Sequence, residues 1–573
     1  MGKFLLGVLV GVIVTALGAF VLIFAIGRLF ASNQPTVAAN SVLVLSLSGE
    51  VPEAPPVDVP LPLIETQGIP TVRDIWTSLR HAATDNRIKA VVIQPHSLST
   101  GWGKLQEIRQ ELLDFKKSGK SVYAYLQGPG SREYYLATAA DKIFLSPDDM
   151  LDVKGFRLEE MYFKNTLDKI GVGVQVDHIG RYKDAGDIFT KTGMSPETRD
   201  VLNQVLDQLY SEFCSTVGQF RHKPADDVRT LLDMGPFLAS QAKATNLVDE
   251  LGYEDQVYAD LKKKTGSELN KISIRRYFRA VPGSGDRIAL LVGEGDIVRG
   301  SPDDSTGGQA VISSGAFKKA IQQVRNDKSV KGVILRVDSP GGDAVASDEI
   351  LHELKLLSAA KPLVISMSDL AASGGYFISM TGDSIVSYPN TITGSIGVLY
   401  VRPNFHGLYD KLGISQDTLV RGKLADMDSV YQPLSDAAKQ KLHDSIESTY
   451  RSFVSKVAAA RKKSYDQIDP LAQGRVWMGA QAKENGLIDQ LGGLDQAIAL
   501  VRSRAKLPTR GDTNLVLYPA RKTLFELLAS SSTESALESY GRARFRATIP
   551  GLPGPAFVKG GMLRILPYQL NIH

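Results

Sequence analysis

The sequence predicts an α/β protein in which one domain occurs twice in tandem, behind a single transmembrane helix at the N-terminus. Three observations lead to this prediction: a long uncharged apolar run near the start of the chain, an internal repeat, and short β-branched runs that alternate with helical patterns. The chain has 573 residues, of which 43% are hydrophobic and 22% are charged, as in ordinary globular proteins. This composition excludes a collagen, a disordered tail and a polytopic membrane protein.

Charge and metal-binding residue types narrow the possible functions. The 66 lysines and arginines and the 62 acidic residues leave a net charge of +4, which gives no electrostatic footprint for nucleic acid. Cys214 is the only cysteine, so an intramolecular disulfide and a cysteine-based zinc site are excluded. Histidine is also scarce, with eight in the chain. We therefore expect no metal, no other cofactor and no nucleic-acid partner.

The first segment has the properties of a membrane anchor. Residues 4–26 form a run of 23 residues without a charge, and a helix needs about 20 such residues to cross a bilayer. The apolar region of a cleaved secretory signal is shorter, about 7–15 residues. Lys3 before the span favours a cytoplasmic N-terminus. We therefore expect residues 1–30 to anchor the chain in the membrane lipid and the remainder to lie outside the cytoplasm.

The body of the chain contains an internal repeat. Residues 88–93 resemble residues 330–335, a displacement of 242 positions. Further along, residues 241–252 resemble residues 481–492 at a displacement of 240 positions. The displacement changes by only two residues between these points, which indicates one fold used twice.

Each half shows the pattern of a parallel α/β domain. Helical patterns such as residues 317–324 alternate with short β-branched runs such as 332–337 and 363–367. Continuous apolar strands separated by helices are typical of a parallel sheet that is covered on both faces. The predicted domains span residues 31–270 and 286–507.

The second half contains a pattern typical of a nucleophilic serine. One strand is followed by the glycine pair that ends at Gly342, and the next strand is followed by Ser373 and then by Gly374. A serine between a strand and a helix is exposed, and the amide of the following residue points into the same space. The amides of Gly342 and Gly374 could thus form an oxyanion hole. Each glycine pair alone could equally be a tight turn, but two pairs at strand-to-helix junctions of one unit favour a site.

The first half lacks these glycines but offers a base. At the displacement of 242 residues Ser373 aligns with Ser131, which is followed by Arg132 and Glu133 rather than by glycines. Conversely, Lys183 of the first half aligns with Ala425. A nucleophilic serine needs a base, and a lysine serves when its surroundings favour the neutral amine.

This complementarity predicts one composite site built from both halves. Two alternatives remain at this point. Lys183 could be a surface lysine paired with Asp184. Lys423, which lies two positions from the aligned residue in the second half, could be the base instead.

The motifs together resemble one family of serine peptidases. They are similar to those of signal peptide peptidase A, also called protease IV, in its long two-domain form. The similarity covers the anchor and both repeats and rests on four short segments: GRYK at 180–183, SPGG at 339–342, ASGGY at 372–376 and TGSIG at 393–397.

The resemblance implies a fold and a set of residue roles. Each repeat would have a ClpP/crotonase-like fold, with Ser373 as nucleophile and Lys183 as general base. Ser395 would hydrogen-bond the lysine amine and orient it, and Gly342 and Gly374 would supply the oxyanion donors.

The resemblance also implies a biological role. Proteins of this family are homotetramers in the bacterial inner membrane that face the periplasm and degrade signal peptides left after precursor cleavage. Peptides are therefore the expected substrates, and a homo-oligomer is the expected assembly.

Two other functions and one segment stay open. A crotonase-like fold with two amide donors could also bind an acyl-CoA thioester, although no carboxylate base pair or cluster for the CoA phosphates is evident. A non-catalytic membrane scaffold is the second alternative. Residues 511–573 form a basic tail that contains proline and glycine, and this tail could contact anionic lipid or be loosely ordered.

Overall fold

The computed structural model describes residues 35–55, 69–281, 283–300, 310–508, 511–519, 561–565 and 571–572, together with five single positions between Gly7 and Gly18. The anchor expected over residues 1–30 lies almost wholly outside this set. Among the described residues, no helix has both the length and the apolar character needed to cross a bilayer. The anchor therefore stays a prediction from the sequence.

Strands and helices alternate along both repeats. The strands are β1 (Ser41–Gly49), β2 (Ile88–Leu98), β3 (Ser121–Leu126), β4 (Lys142–Leu145), β5 (Met150–Leu151), β6 (Leu158–Glu159), β7 (Gly173–Ile179), β8 (Phe237–Leu238), β9 (Glu250–Leu251), β10 (Asn270–Ser273), β11 (Asp286–Glu294), β12 (Asp296–Val298), β13 (Val311–Ser313), β14 (Gly332–Ser339), β15 (Gly341–Asp343), β16 (Leu363–Ala372), β17 (Ser384–Ser387), β18 (Ile392–Gly394), β19 (Val398–Asn404), β20 (Val476–Met478), β21 (Gln490–Leu491), β22 (Thr513–Tyr518), β23 (Gly561–Ile565) and β24 (Asn571–Ile572). The helices are α1 (Val72–Thr84), α2 (Trp102–Lys116), α3 (Ser131–Ala137), α4 (Lys164–Ile170), α5 (Asp187–Thr190), α6 (Pro196–Arg221), α7 (Ala225–Leu232), α8 (Ala239–Ala244), α9 (Glu254–Thr265), α10 (Ile274–Ala280), α11 (Ser314–Asn326), α12 (Ala344–Ala360), α13 (Gly374–Ile378), α14 (His406–Leu412), α15 (Asp436–Arg461), α16 (Tyr465–Ile468), α17 (Gly479–Glu484) and α18 (Leu494–Arg504), with a 3₁₀ turn at Asp469–Leu471.

Each repeat is built around its own largely parallel sheet. The first sheet has the order β10-β1-β2-β3-β4-β9, and its neighbouring strands are all parallel. The second has the order β20-β18-β16-β14-β11-β22, with β17 and β21 continuing from β16. All eight residues of β14 are buried, as expected for a central parallel strand covered on both faces. The prediction of two tandem α/β domains is confirmed.

Local sequence signals explain the helices that cover these sheets. Helix α1 begins after Thr71, whose hydroxyl accepts the amide of Asp74 while the Asp74 carboxylate accepts the amide of Thr71. Its apolar residues recur at helical spacing and are buried, Val72, Ile75 and Leu79 among them. The helices therefore present one apolar face to a sheet.

A third sheet joins the two repeats. Its order is β13-β12-β15-β23-β19-β7, so a strand of the first repeat, β7, forms the edge of a sheet that otherwise belongs to the second half of the chain. β7 pairs antiparallel with β19 along its whole length, from Val398 opposite Ile179 to Asn404 opposite Gly173. The chain that leaves β7 therefore continues directly into the second repeat.

The two repeats also share an apolar core. Helix α2 of the first repeat contacts β16 of the second. The cluster of buried residues that contains Leu105 and Ile108 of α2 also contains Ile334 and Val364 of the second sheet. One face of the second sheet is thus covered by the first repeat, which buries the boundary between them.

Three strands lie in the predicted basic tail at residues 511–573, namely β22, β23 and β24, of which β24 pairs with β6. β22 adds a parallel edge strand to the second sheet, beside β11. β23 lies between β15 and β19 in the third sheet and is antiparallel to both. The tail composition gave no sign of them, because short strands at the end of a chain are set by the edges that they pair with.

Candidate active site

Ser373 lies in a strained turn between β16 and α13. Its backbone has φ +52° and ψ −111°, a conformation that non-glycine residues rarely adopt. The turn is held because the Ser373 amide donates to the carbonyl of Gly394 at 2.8 Å and its own carbonyl accepts the amide of Phe377 at 2.8 Å. Ser373 is fully buried, so the expectation of an exposed serine is wrong, because Lys183 of the other repeat packs against its hydroxyl. Strain at a serine between a strand and a helix is typical of a nucleophile turn.

Lys183 reaches Ser373 from the other repeat. It follows β7 and is fully buried. Its Nζ lies 2.9 Å from Ser373 Oγ, 2.9 Å from Ser395 Oγ and 3.1 Å from the carbonyl oxygen of Ser395. The structure thus brings together three residues that the sequence analysis singled out. The reason is topological, because the pairing of β7 with β19 carries the chain of the first repeat into the second.

Two glycines, Gly397 and Gly474, leave room for the side chain of Lys183. A Cβ atom on Gly474 would lie 2.6 Å from both the Cβ and the backbone nitrogen of Lys183, and a Cβ on Gly397 would lie 3.0 Å from its Cδ. The same loop fixes the incoming chain, because the Tyr182 amide donates to the carbonyl of Gln473 at 2.7 Å. Gly397 belongs to the TGSIG segment, whereas no pattern in the sequence marks Gly474 or Gln473 as part of the site.

Substituting alanine for Gly474 should displace the lysine. The residue has φ +77°, so alanine adds backbone strain to the clash with Lys183. A displacement of about 1 Å at a catalytic group costs on the order of 10²-fold in rate. We expect Gly474→Ala to lower the turnover that depends on Lys183 and Ser373 by about that factor with the fold retained, as measured by kinetics and circular dichroism. Alanine at Gly382, which has φ +95° and open space around it, is the control for backbone strain. Equal losses in both variants would contradict a specific role of Gly474 in positioning Lys183.

The two predicted oxyanion donors lie on neighbouring elements. Gly374 is the first residue of α13, and the first amides of a helix have no partner within it. Gly342 is in β15 with φ +151°, where a Cβ atom would lie 2.1 Å from the carbonyl oxygen of Ile297. Helix α13 contacts β15, and a Cβ on Gly375 would lie 2.6 Å from the carbonyl oxygen of Ser339. Close packing of this kind needs glycine at both junctions.

The corresponding place in the first repeat is filled by a side chain. Glu133, which aligns with Gly375, is buried. Its carboxylate accepts the amide of Leu98 at 2.5 Å and the amide of Gly130 at 2.9 Å. The first repeat therefore uses a carboxylate of its own to satisfy backbone donors at this position. The alternative base, Lys423, is exposed on the loop 421–426 and is not part of the buried cluster.

Two groups of carboxylates in the described part of the chain could in principle hold a metal ion. One consists of Glu50, Glu294 and Asp338, and the other of Glu111, Asp114 and Asp495. Each already contains a cationic side chain. Lys104 Nζ lies 2.7 Å from Asp338, and the guanidinium of Arg80 contacts all three carboxylates of the second group.

A buried serine at a strand-to-helix turn, hydrogen-bonded to a lysine amine, is an arrangement that suits nucleophilic acyl transfer. The fold and the site therefore define a serine hydrolase.

Comparison with known proteins identifies the family. The model of Peptidase family S49 matches residues 114–268 and 355–508, one segment in each repeat. The chloroplastic serine protease SPPA of Arabidopsis thaliana is 35% identical over 499 residues, which cover 85% of this chain and 72% of that protein. Protease 4 of Salmonella typhi is 33% identical over 523 residues, covering 87% of this chain and 83% of that protein. The chain belongs to peptidase family S49 and is a serine peptidase, and the family predicted from its motifs is confirmed.

Shorter relatives match one part of the chain. The putative signal peptide peptidase SppA of Enterococcus faecium is 32% identical over 259 residues, covering 43% of this chain and 73% of that protein. A solved structure of a ClpP1 mutant from Listeria monocytogenes covers 36% of this chain at 14% identity with a TM-score of 0.22. A structural similarity this low carries no information about function.

Proposed function

We propose that this chain is a membrane-anchored serine endopeptidase in which Ser373 is the nucleophile and Lys183 the general base. The observation that carries the proposal is the 2.9 Å contact between Lys183 Nζ and Ser373 Oγ across the two repeats. A neutral amine can donate to both oxygens of Ser395 while its lone pair accepts the hydroxyl proton of Ser373. Ser395 then acts as the orienting group.

Acylation would proceed by the usual steps of a serine nucleophile. Lys183 Nζ takes the proton of Ser373 Oγ as this oxygen bonds to the peptide carbonyl carbon. The amides of Gly342 and Gly374 donate to the oxyanion that forms. When the C–N bond breaks, the lysine ammonium gives its proton to the departing amine, and an ester on Ser373 remains.

Deacylation reverses the proton path with water in place of the amine. Lys183 takes a proton from a water molecule as the water oxygen bonds to the ester carbon. The C–O bond to Ser373 then breaks, and the ammonium returns the proton to the serine oxygen. The cycle thus uses only groups of this chain and one water molecule.

The third sheet indicates where an extended peptide would bind. β23 fills the slot between β15 and β19, with Arg564 opposite Gly342. Leu563 is buried in a cluster that includes Ala185, two residues after Lys183, and Leu399. Strand addition to two open sheet edges is a common way to bind a peptide. We infer that a substrate occupies this slot when β23 is out of it.

Unseating β23 should therefore raise activity towards short peptides. Leu563→Asp places a charge in an apolar cluster, which disfavours the paired strand. An intramolecular competitor at an effective concentration of about 1 mM that binds with a Kd of about 0.1 mM lowers kcat/KM for a short peptide about tenfold, so its loss should raise kcat/KM by that factor. Peptide hydrolysis kinetics measure this effect.

Two controls accompany that measurement. Leu563→Met conserves side-chain volume and should leave kcat/KM close to the parent value. A synthetic peptide with the sequence of residues 561–565 should inhibit the Leu563→Asp variant competitively. An unchanged kcat/KM in Leu563→Asp, with no inhibition by the peptide, would contradict substrate binding in the slot between β15 and β19.

The proposed substrates are cleaved signal peptides in a bacterial inner membrane, with the catalytic body on the periplasmic side. The apolar run at residues 4–26 supports the single-pass anchor. The name of the Enterococcus faecium relative and the motif resemblance support the substrate class. A homotetramer is the assembly that the resemblance implies. Release of labelled signal-peptide fragments from membrane vesicles, compared with soluble peptides, tests this substrate class.

Covalent labelling tests the chemistry directly. A serine-directed acylating probe should label Ser373 of the full chain, and labelling should be absent in Lys183→Ala. An acyl-CoA-handling enzyme would retain thioester turnover without such labelling, and a non-catalytic scaffold would show neither.

A further inference from the structure

A second buried lysine of the first repeat reaches the site-bearing strands of the second. Lys104, in the first turn of α2, is fully buried. Its Nζ lies 2.7 Å from Asp338 Oδ2 and 3.6 Å from Asp369 Oδ2. Its backbone amide also donates to Asp369 Oδ1 at 2.7 Å. One residue of the first repeat thus contacts two acids of the second repeat.

Asp369 caps helix α2 across the boundary between the repeats. The N-cap residue Gly101 has no side chain to cap the helix, and its amide donates to Asp369 Oδ2 at 3.1 Å. A carboxylate is favourable at a helix N-terminus because it satisfies free amides and faces the positive end of the helix dipole. The close approach needs glycine, since a Cβ on Gly101 would lie 2.3 Å from Asp369 Cγ and one on Gly103 would lie 3.0 Å from the carbonyl oxygen of Ser368.

Each of the two acids precedes a residue of the site by the same number of positions in the sequence. Asp338 precedes Gly342 by four residues, and Asp369 precedes Ser373 by four residues. They lie on the adjacent parallel strands β14 and β16, and Asp338 Oδ1 accepts the amide of Leu370 at 3.0 Å. The ammonium of Lys104 therefore joins the ends of the two strands from which the oxyanion segment and the nucleophile turn depart.

At this junction a single ammonium group, that of Lys104, faces several carboxylates. Burial opposes the charge of Lys104, but attraction to Asp338, Asp369, Glu53 and Glu50 raises its pKa well above the ordinary value. Burial raises the pKa of Asp369 to about 7, with repulsion from Asp338 adding to the effect and Lys104 opposing it. Without the ammonium, Asp369 would lose the attraction that lowers its pKa and would take up a proton, so the charged link between the two strand ends would be lost.

We propose that Lys104 is a positioning residue that sets the distance between the Ser373 turn and the Gly342 segment. The repeat comparison gives independent support. Lys104 aligns with Ala346 in the second repeat, whereas Asp338 and Asp369 align with His96 and Gln127 in the first. The contact therefore exists in one direction only, as it does for Lys183 and Ser373. The inference rests on the proposed function of that serine.

Acylation kinetics of the full chain test the proposal. Lys104→Met should lower the maximal rate of Ser373 labelling by the acylating probe by about 10²-fold, because a shift of about 1 Å between nucleophile and oxyanion donors has that effect. The final extent of labelling and the probe concentration for half-maximal rate should stay at the parent values. A purely structural loss would instead lower the final extent, because fewer molecules would be folded.

Two further variants keep the outcome decisive. Arg221→Met removes a buried arginine that pairs with Asp249 inside the first repeat, and it should leave the labelling rate unchanged. Asp369→Asn keeps the shape of the side chain but removes its charge, so it carries the test if Lys104→Met does not fold. A labelling rate within twofold of the parent in the folded variant would overturn the proposal. If the parent itself is not labelled at Ser373, the proposed function fails and this inference fails with it.

Discussion

Replacing Lys183 by alanine is expected to lower peptide hydrolysis by about 10⁴-fold, and replacing Ser373 by alanine should have a similar effect. Lys183 provides the amine that lies 2.9 Å from Ser373 Oγ, and Ser373 provides the attacking oxygen. Because the two groups act as a unit, the double variant should be no slower than either single variant. Turnover of a fluorogenic peptide measures both losses, and the rate of probe labelling gives a second measure for Lys183→Ala.

The controls for this prediction come from the same chain. Lys423, the competing lysine of the second repeat, is exposed, and Lys423→Ala should keep full activity. Ser395→Ala removes one of the oxygens that hold the amine and should give a smaller loss than Lys183→Ala, about 10–10²-fold. Substantial activity in Lys183→Ala would contradict a lysine base, and full activity in Ser373→Ala would contradict the nucleophile.

The turn at Ser373 could be predicted from the sequence because its signals are local. A strand, a serine and two glycines follow one another within a few residues, and the strained φ of Ser373 is a property of that short segment. Lys183 became a candidate because the chain repeats and the two halves differ in which residue they lack, and the resemblance to the peptidase family then implied its role as base. The first inference needed only one short segment, and the second began from one displacement along the chain.

The residues that surround Lys183 and Ser373 could not be predicted in this way. Gly474 matters because the first repeat inserts Lys183 beside it, and Lys104 matters because α2 packs on β16. Both contacts follow from the pairing of β7 with β19 and from the burial of one repeat against the other. Neither a motif nor a period in the sequence contains that information, since the partners are separated by more than 200 residues.

A buried arginine at the boundary of the repeats provides the largest expected effect on stability. Arg336 of β14 is fully buried, and its Nη2 contacts the carboxylates of Glu53 and Glu107, both from the first repeat. Burial opposes its charge, but the two carboxylates raise the pKa of the guanidinium above the ordinary value. Burial would also raise the pKa of Glu53, yet attraction to Arg336 and Lys104 lowers it. Each of these buried charges is therefore favourable only because the opposite charges lie beside it.

Replacing Arg336 by methionine should lower the free energy of unfolding by about 3–5 kcal/mol, because two buried carboxylates lose their main counter-charge. Wild-type Glu53, with its lowered pKa, stabilises the fold above its unfolded pKa and loses that contribution as the pH falls through the folded value. In the variant Glu53 can relieve its burial by protonation, so the deficit should be smaller near about pH 5 than near about pH 8. Denaturant unfolding at both pH values measures this difference.

Arg402→Met is the matched control, since that buried arginine also crosses the repeats but donates to neutral groups, the Gln175 side chain and the Gln432 carbonyl. A deficit in Arg336→Met no larger than in Arg402→Met, and independent of pH, would show that the ion set does not hold the repeats together.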